Sequence, residues 1–184
     1  MRKKMRQMCI IPIIWGMLLC LGCGNTGIQE KVAKIDKEET YLETPGQLEV
    51  VYTDITQMEA DATDIVKASV IETRIELLYD LPQTHTLLEI QETLKGNATR
   101  GKTIEVIEEG GYDNKVMGGI PQMKKGSEYV LFIKEVDGKN YICGAFQGRF
   151  IIREGYVFQQ ATEDVKLKSY QPLQERDFFT TVTK

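Results

Sequence analysis

Two residues in this sequence have side chains typical of catalysis, a single histidine and a cysteine in a β-type run. His85 stands between two threonines in PQTHTL, and as a general base it would need an oriented nucleophile and a carboxylate partner. Cys143, in NYICGAF, would need a nearby cation or a helix N-terminus to become a reactive thiolate. Neither requirement is met by the neighbouring sequence. We therefore expect a surface histidine in a loop that enters a strand, and a buried, apolar cysteine.

Carboxylates cluster in the glycine-rich segment EEGGYDN, at Glu108, Glu109 and Asp113. Carboxylates on such a loop can bind calcium, but their spacing is not that of an EF-hand. We interpret the segment as a solvated turn, and with one histidine we expect no metal and no cofactor. The alternative is an enzyme that uses carboxylates alone, for example on glycans, which would need two carboxyl groups about 5–9 Å apart in one cleft. We expect a protein that is not an enzyme and has no catalytic residue.

Two loops are the candidate binding surface. The first is EEGGYDN, and the second is GGIPQMKK, where the glycine pair 118–119 gives the backbone freedom to adapt. Loops on a rigid scaffold commonly carry recognition. The candidate residues are acidic or aromatic in the first loop and apolar in the second: Glu108, Glu109, Tyr112, Asp113, Ile120 and Met123.

The first residues have the plan of an export signal. MRKKMRQ contains four basic residues and no acidic one, and it is followed by an uncharged stretch that is mostly apolar. The run from Cys9 to Leu21 has 13 residues and is interrupted by Pro12 and Gly16. A membrane-spanning helix needs roughly 20 apolar residues, so this run is too short to be a comfortable permanent span.

The end of that run, LLCLGC, resembles the bacterial lipobox. The resemblance implies cleavage before Cys23, with Gly22 as the small residue before the cut and diacylglycerol attached to the Cys23 sulfur. Cys20 stands where leucine is usual. Two acyl chains hold a protein stably in a membrane. The alternative is an ordinary signal peptide that leaves two free cysteines, Cys23 and Cys143.

Removal of residues 1–22 would take away four positive charges and change the net charge from −4 to −8. An acidic surface disfavours nucleic acid and anionic lipid headgroups. Residues 23–47 are polar with scattered apolar positions, and we interpret them as the lipidated cysteine and a flexible tether. A helix docked on the domain is the alternative for this segment. The domain organisation is therefore a signal peptide (1–22), a tether (23–47) and one globular domain (48–184).

The globular domain has eight β-type runs, which we interpret as about seven short strands, together with one early helix and frequent glycine turns. Asp54 can cap the helix, and Val66, Ala68 and Val70 alternate as in a strand with one buried face. Residues 128–134 are apolar on both faces, which indicates a central strand. The β-type runs are 48–53, 65–78, 84–96, 102–111, 128–134, 140–145, 149–153 and 156–160. This pattern predicts a mainly β fold, a small antiparallel barrel or sandwich with one short helix.

The runs ATDIVKASVIET, THTLLEIQETLKG, KTIEVIEEGG, KKGSEYVLFI and GAFQGRFIIREGYV resemble a group of uncharacterised exported proteins of Gram-positive bacteria. That group is similar to the barrel of the tissue inhibitors of metalloproteinases, an OB-like closed sheet. The resemblance covers roughly residues 48–160 and implies an OB-like barrel. It implies no inhibitory residue here, because those inhibitors present a disulfide-tied N-terminal cysteine to zinc, and Cys23 would carry lipid.

Together these features predict a lipoprotein on the outer face of the cell membrane. We expect a binding or interaction module of the cell envelope whose partner is an envelope protein or a glycan, and not nucleic acid. The alternative function is inhibition of an envelope or secreted protease or other hydrolase, which rests on fold analogy.

Replacement of the lipidated residue tests the membrane anchor directly. In the Cys23→Ser variant we expect the protein to leave the membrane fraction, because the acyl chains are its only predicted attachment. The measurement is the distribution of the full chain between membrane and soluble fractions, with Cys143→Ser as the matched control that should stay bound. Retention of the Cys23→Ser variant in the membrane fraction would contradict the lipoprotein hypothesis.

Overall fold

A computed structural model describes residues 26–38, 50–168 and 170–183 of the chain. Within these ranges the chain is mainly β, with one eight-stranded sheet and three α-helices. The helices are α1 (Thr26–Glu38), α2 (Ile55–Asp61) and α3 (Glu175–Val182). The strands are β1 (Asp64–Leu78), β2 (Leu81–Lys95), β3 (Thr103–Glu109), β4 (Glu128–Val136), β5 (Lys139–Ile142), β6 (Arg149–Arg153), β7 (Tyr156–Gln159) and β8 (Leu173–Gln174). The predicted signal peptide and Cys23 lie outside the described residues.

The mainly β fold is confirmed, but the prediction of a single helix was wrong. The predicted early helix is α2, and its N-cap residue Asp54 accepts a hydrogen bond from the Gln57 amide. Helix α3 was missed. It is short, with apolar residues at few positions, and it buries Phe178 and Val182 against the aromatic core.

The β-type run at 48–53 does not form a strand over its described residues, 50–53. The backbone of Tyr52 bonds instead to one side chain, donating to Gln147 Oε1 and accepting from Gln147 Nε2. An amide side chain thus takes the place of a neighbouring strand. β-propensity alone could not reveal this, because the partner lies 95 positions away in the sequence.

Strand β1 pairs with two neighbours at once. The sheet order is β1-β2-β3-β5-β4-β6-β7-β8, and β1 also pairs with β4 over residues 64–69. The ladder that runs through β2, β3, β5 and β4 therefore returns to β1. The β3–β5 pairing is parallel and short, and the other pairings in the sheet are antiparallel.

Strands β1 and β2 are 15 residues each and form one long hairpin. Pairing with β4 ends at Ser69, and pairing of β2 with β3 begins at Gln83. Residues beyond these limits belong to the β1–β2 ladder alone, up to the Leu78–Leu81 pair. The hairpin end therefore extends past the strands that flank it.

The two faces of the central strands fill two separate hydrophobic clusters. Val66, Ala68 and Val70 lie in one cluster, as their alternation predicts, and Ile65 lies in the other. Strand β4 contributes to both clusters, which confirms it as a central strand. The cluster beneath α3 contains a group of packed aromatic rings, with Phe150 against Phe132, Tyr170 and Phe178 at ring-centroid distances of 5.2–5.4 Å.

Helix α1 occupies part of the segment predicted to be a tether. Its Val32 and Ile35 pack against the cluster that contains Val66, and Lys31 pairs with Glu154 in the turn after β6. This placement corresponds to the docked helix weighed as the alternative for the segment. No helix in the described ranges is both long enough and apolar enough to cross a membrane.

Candidate functional site

The carboxylate of Glu108 faces the interior and not a solvated turn. Strand β3 continues to Glu109, so Glu108 lies within the strand, with its side chain directed inward. Only 4% of Glu108 is exposed. Its Oε1 accepts a 2.9 Å hydrogen bond from Nη1 of Arg149, a residue that is completely buried. Two opposite charges thus share the interior, where removing either one would leave the other uncompensated.

Arg149 connects three parts of the chain through its guanidinium. Nη2 donates to the Pro121 carbonyl at 3.0 Å and to Gln160 Oε1 at 2.9 Å. The guanidinium also lies over the ring of Tyr129, 5.7 Å from its centroid. Because Pro121 belongs to the GGIPQMKK loop, this loop is fixed to the interior by a charged donor.

Opposing effects act on the pKa of Glu108. Burial raises the pKa above its ordinary value, because the ionised carboxyl loses its hydration. The charge of Arg149 and its hydrogen bond act in the opposite direction. Without the guanidinium, the pKa of this carboxyl would rise further.

The apolar residues expected to offer contacts in the second loop are in the core. Ile120 packs in a small cluster with Val116 and Phe146, and Met123 belongs to the cluster that contains Val66. Both side chains are buried. The loop must approach Phe146 closely at Gly118, where a Cβ would come within 2.6 Å of the ring. Neither apolar side chain is available to a partner in this conformation.

Three of the six candidate binding residues remain on the surface. Glu109, Tyr112 and Asp113 are exposed, and Asp113 has a φ of +54° in the turn after β3. Tyr112 is 66% exposed. In the structure, Glu109, Tyr112 and Asp113 of EEGGYDN are therefore accessible, whereas Glu108 and the apolar side chains of GGIPQMKK are buried.

His85 lies within β2 and is buried, so the expectation of a surface histidine in a loop was wrong. The strand begins at Leu81, earlier than predicted. His85 Nδ1 lies 3.1 Å from Glu105 Oε2, and Arg74 pairs with Glu105 at 2.6 Å and with Glu76 at 2.8 Å. The contact with His85, together with Arg74, holds the pKa of Glu105 below its ordinary value. These charges join β1, β2 and β3 at the base of the projecting hairpin.

Cys143 is a buried thiol, as expected. Burial, with the nearby charge of Asp61, raises its pKa to about 11. At neutral pH the side chain is therefore a protonated thiol packed in the aromatic-rich cluster.

A group of exposed apolar side chains in the described part of the chain was not predicted from the sequence. It lies at the end of the β1–β2 hairpin, where Tyr79 is 90% exposed, Leu81 68% and Leu77 63%. Ile75 and Leu78 are also among the exposed large apolar residues. We call residues 75–81 the hairpin tip. Apolar side chains grouped on a projecting element are typical of an interaction site.

The turn at this tip contains no glycine. Tyr79 and Asp80 have φ values of +52° and +64°, the left-handed values that a two-residue hairpin turn requires at both central positions. Asp adopts this region readily, but Tyr seldom does. A scan for glycine or asparagine turns therefore overlooks LLYDLP, and the sequence signal was two long β-type runs, 65–78 and 84–96, separated by five residues.

An open groove of about 760 Å³ lies beside the same two strands. It is lined by polar and charged side chains from β1, β2, the following turn and β4: Lys67, Gln91, Glu92, Thr93, Ala98, Thr99, Arg100 and Glu128. Lys67 is already engaged by Glu175 at 2.6 Å. In the described part of the chain, no group of three or more His, Cys, Asp or Glu side chains could hold a metal ion.

No protein-family model matches this chain, and no curated protein matches it.

The buried ion pair makes a prediction about stability. In Arg149→Met, the carboxylate of Glu108 loses its partner, and we expect the free energy of unfolding to fall by about 3–5 kcal/mol at pH 7.5. The half-exposed Lys134–Asp61 pair provides the matched control, and Lys134→Met should lower it by less than about 1 kcal/mol. Urea unfolding of both variants measures the difference.

The pH dependence of the Arg149→Met variant has a defined sign. Its Glu108 would have a folded-state pKa further above the unfolded value, so the contribution of this carboxyl to stability is greatest below the unfolded pKa and is lost as pH rises through the folded-state pKa. We therefore expect the deficit of Arg149→Met relative to the natural chain to be smaller at pH 5 than at pH 7.5. A pH-independent deficit, or one no larger than that of Lys134→Met, would contradict the role of the pair.

Proposed function

We propose that this protein is a lipid-anchored, extracytoplasmic binding module of the cell envelope, and that the hairpin tip is its binding surface. The observation that carries the proposal is the exposure of Leu77, Tyr79 and Leu81 at the end of a hairpin that extends beyond the flanking strands. Folding would ordinarily bury such side chains. Leaving several of them together in solvent is favourable only if another surface covers them.

The strands that hold the hairpin tip are rigid, which favours a role in binding over exposure without a function. The tip is continuous with β1, which has strand partners on both edges over residues 65–69. Arg74, His85 and Glu105 connect the hairpin base to the neighbouring strand through charged contacts. A surface held in one conformation loses less conformational entropy when it binds.

We interpret the ring of β1, β2, β3, β5 and β4 as a small OB-like barrel, with β6, β7, β8 and the helices as additions. The support is the pairing of β1 with β4, which returns the five-strand ladder to its first strand. An OB-like barrel is a scaffold that serves many binding functions through its loops and projections. The fold by itself does not identify a ligand.

The membrane location is supported by the sequence. The basic head, the apolar run and the LLCLGC segment are those of an exported lipoprotein, with Cys23 as the acylated residue. A covalent lipid would keep the domain at the outer face of the membrane, where envelope proteins and glycans are within reach. The acidic chain, with a net charge of −4, does not favour nucleic acid as a partner.

We propose binding without catalysis as the activity. The chemically suggestive residues of the sequence have structural roles here: His85 and Glu105 in an ion-pair cluster, Glu108 in the buried pair, and Cys143 as a protonated thiol. Inhibition of an envelope or secreted hydrolase is the second candidate. It is favoured by the shape of the tip, because a narrow two-stranded projection ending in Tyr79 fits a cleft.

A photo-crosslinking comparison tests which surface binds. A photoreactive phenylalanine analogue placed at Tyr79 of the full chain in cells should give a covalent adduct on illumination, because the side chain would contact the partner. Tyr112 is the matched control, since it is an exposed tyrosine of the alternative EEGGYDN loop. The adducts are detected on denaturing gels and identified by mass spectrometry, and an adduct with a hydrolase would favour the inhibitor candidate.

Adducts from Tyr112 without any from Tyr79 would move the binding surface to the EEGGYDN loop. Adducts from neither position would contradict the proposal that this surface binds a macromolecule. The lipid anchor is tested separately through Cys23, so failure at the tip does not affect it.

A further inference from the structure

We infer that the partner of the projecting hairpin is a second copy of this chain, bound through the outer edge of β1 as an antiparallel two-stranded continuation of the sheet. This inference rests on the proposed function, because it names the partner of the same hairpin. It is based on three features of β1: an edge without a strand partner, a register in which Arg74 of each copy faces Glu76 of the other, and exposed apolar side chains next to these charges.

The outer edge of β1 is free over one stretch. Strand β4 pairs with β1 as far as Ser69, and the turn before β4 bonds to Val70, with Val70 N donating to Ser127 O and Gly126 N donating to Val70 O. From Glu72 to Leu78, β1 pairs with β2 on one edge, and no strand among the described residues pairs with the other. An exposed edge with apolar side chains is a template for a further strand.

Only a few registers are compatible with two identical strands. In an antiparallel pair, residues that lie directly opposite each other point to the same face of the sheet. A two-fold axis perpendicular to the sheet must therefore lie between the two copies of one β1 residue, which then faces itself across the axis. An axis at Arg74 would oppose two arginines, and an axis at Glu76 would oppose two glutamates. Like charges directly opposite destabilise a strand pair.

An axis at Ile75 gives the opposite result. It places Arg74 of each copy opposite Glu76 of the other, so two favourable charge pairs form. The paired stretch is then Glu72 to Leu78, which coincides with the free edge. An axis at Thr73 would also oppose unlike charges, but it would bring Glu76 to Val70, whose edge is occupied by the turn at Gly126.

The same register covers apolar surface. Ile75, which is about half exposed, would lie opposite Ile75 of the second copy, and Leu77 would lie beside Thr73. The Arg74 guanidinium is 41% exposed while paired with Glu105 and with Glu76 of its own chain, so it can keep Glu105 and also pair with Glu76 of the second copy. Beyond the paired stretch, Asp80 would approach the second copy's turn at Gly126, next to exposed lysines at 124–125.

A charge-swap experiment tests this register. Full chains carrying Ile75→Cys are purified in detergent, and the dimer is trapped with a short thiol cross-linker and measured on denaturing gels. Addition of Arg74→Glu or of Glu76→Arg opposes like charges across the axis, and we expect each variant to self-associate roughly tenfold more weakly. When the two variants are mixed, the unlike charges oppose each other again, so the cross-linked heterodimer should return to the level of the unswapped chain.

The recovery of the dimer on mixing is the decisive result. Each variant still carries two like charges at positions 74 and 76 of its own chain, so only a contact between the two different chains can restore the unlike pairs. Glu89→Cys, at an exposed position of β2 away from the free edge, is the control for nonspecific cross-linking. The natural chain controls for its own four cysteines. Equal dimer yields from Ile75→Cys and Glu89→Cys, or charge variants whose mixture remains as weak as each alone, would overturn the inference.

The outcomes separate this inference from the proposed function. A monomeric chain that still gives a Tyr79 adduct of a different mass excludes the second copy and leaves the hairpin as the binding surface. A chain that gives no Tyr79 adduct and no Ile75→Cys dimer contradicts both.

Discussion

Over residues 65–69, strand β1 pairs with β2 on one edge and with β4 on the other. The remaining architecture depends on this double pairing. It closes the ladder that runs through β2, β3, β5 and β4, and it separates the two hydrophobic clusters on the two faces of the strand. Because β1 then continues to Leu78 without β4, the strand that closes the ring also carries the exposed apolar tip. The doubly paired stretch and the proposed binding surface thus lie in consecutive parts of one strand.

Polar groups inside the domain hold the irregular segments in place. Arg149 joins Glu108 of β3 to the carbonyl of Pro121, and Gln147 bonds both backbone polar groups of Tyr52. These segments form few strand pairings, so side chains must satisfy their buried donors and acceptors. The consequence is a loop that looks adaptable in sequence but is fixed in the structure, which leaves the hairpin tip as the larger accessible apolar surface.

The parts of the fold that depend on local pattern could be predicted. Alternation identified β1 and β4, and the Asp54 cap identified α2, because these signals lie within a few residues of each other. The inward orientation of Glu108 could not be predicted, since it depends on Arg149, 41 positions away. The tip was missed because Tyr79 and Asp80 form a tight turn without glycine, and because the exposure of Leu77 depends on where β4 stops pairing.

Hydrogen exchange of the backbone amides tests most directly whether the hairpin is a structured projection. We expect amides within the β1–β2 hairpin at residues 74–82 of the full chain in detergent to exchange much more slowly than those of an unstructured peptide, because the two strands pair with each other beyond the end of the β1–β4 pairing. The doubly paired residues 65–69 should exchange most slowly. Exchange of residues 74–82 at the rate of an unfolded segment would contradict a rigid, apolar tip and remove the basis for a binding surface there.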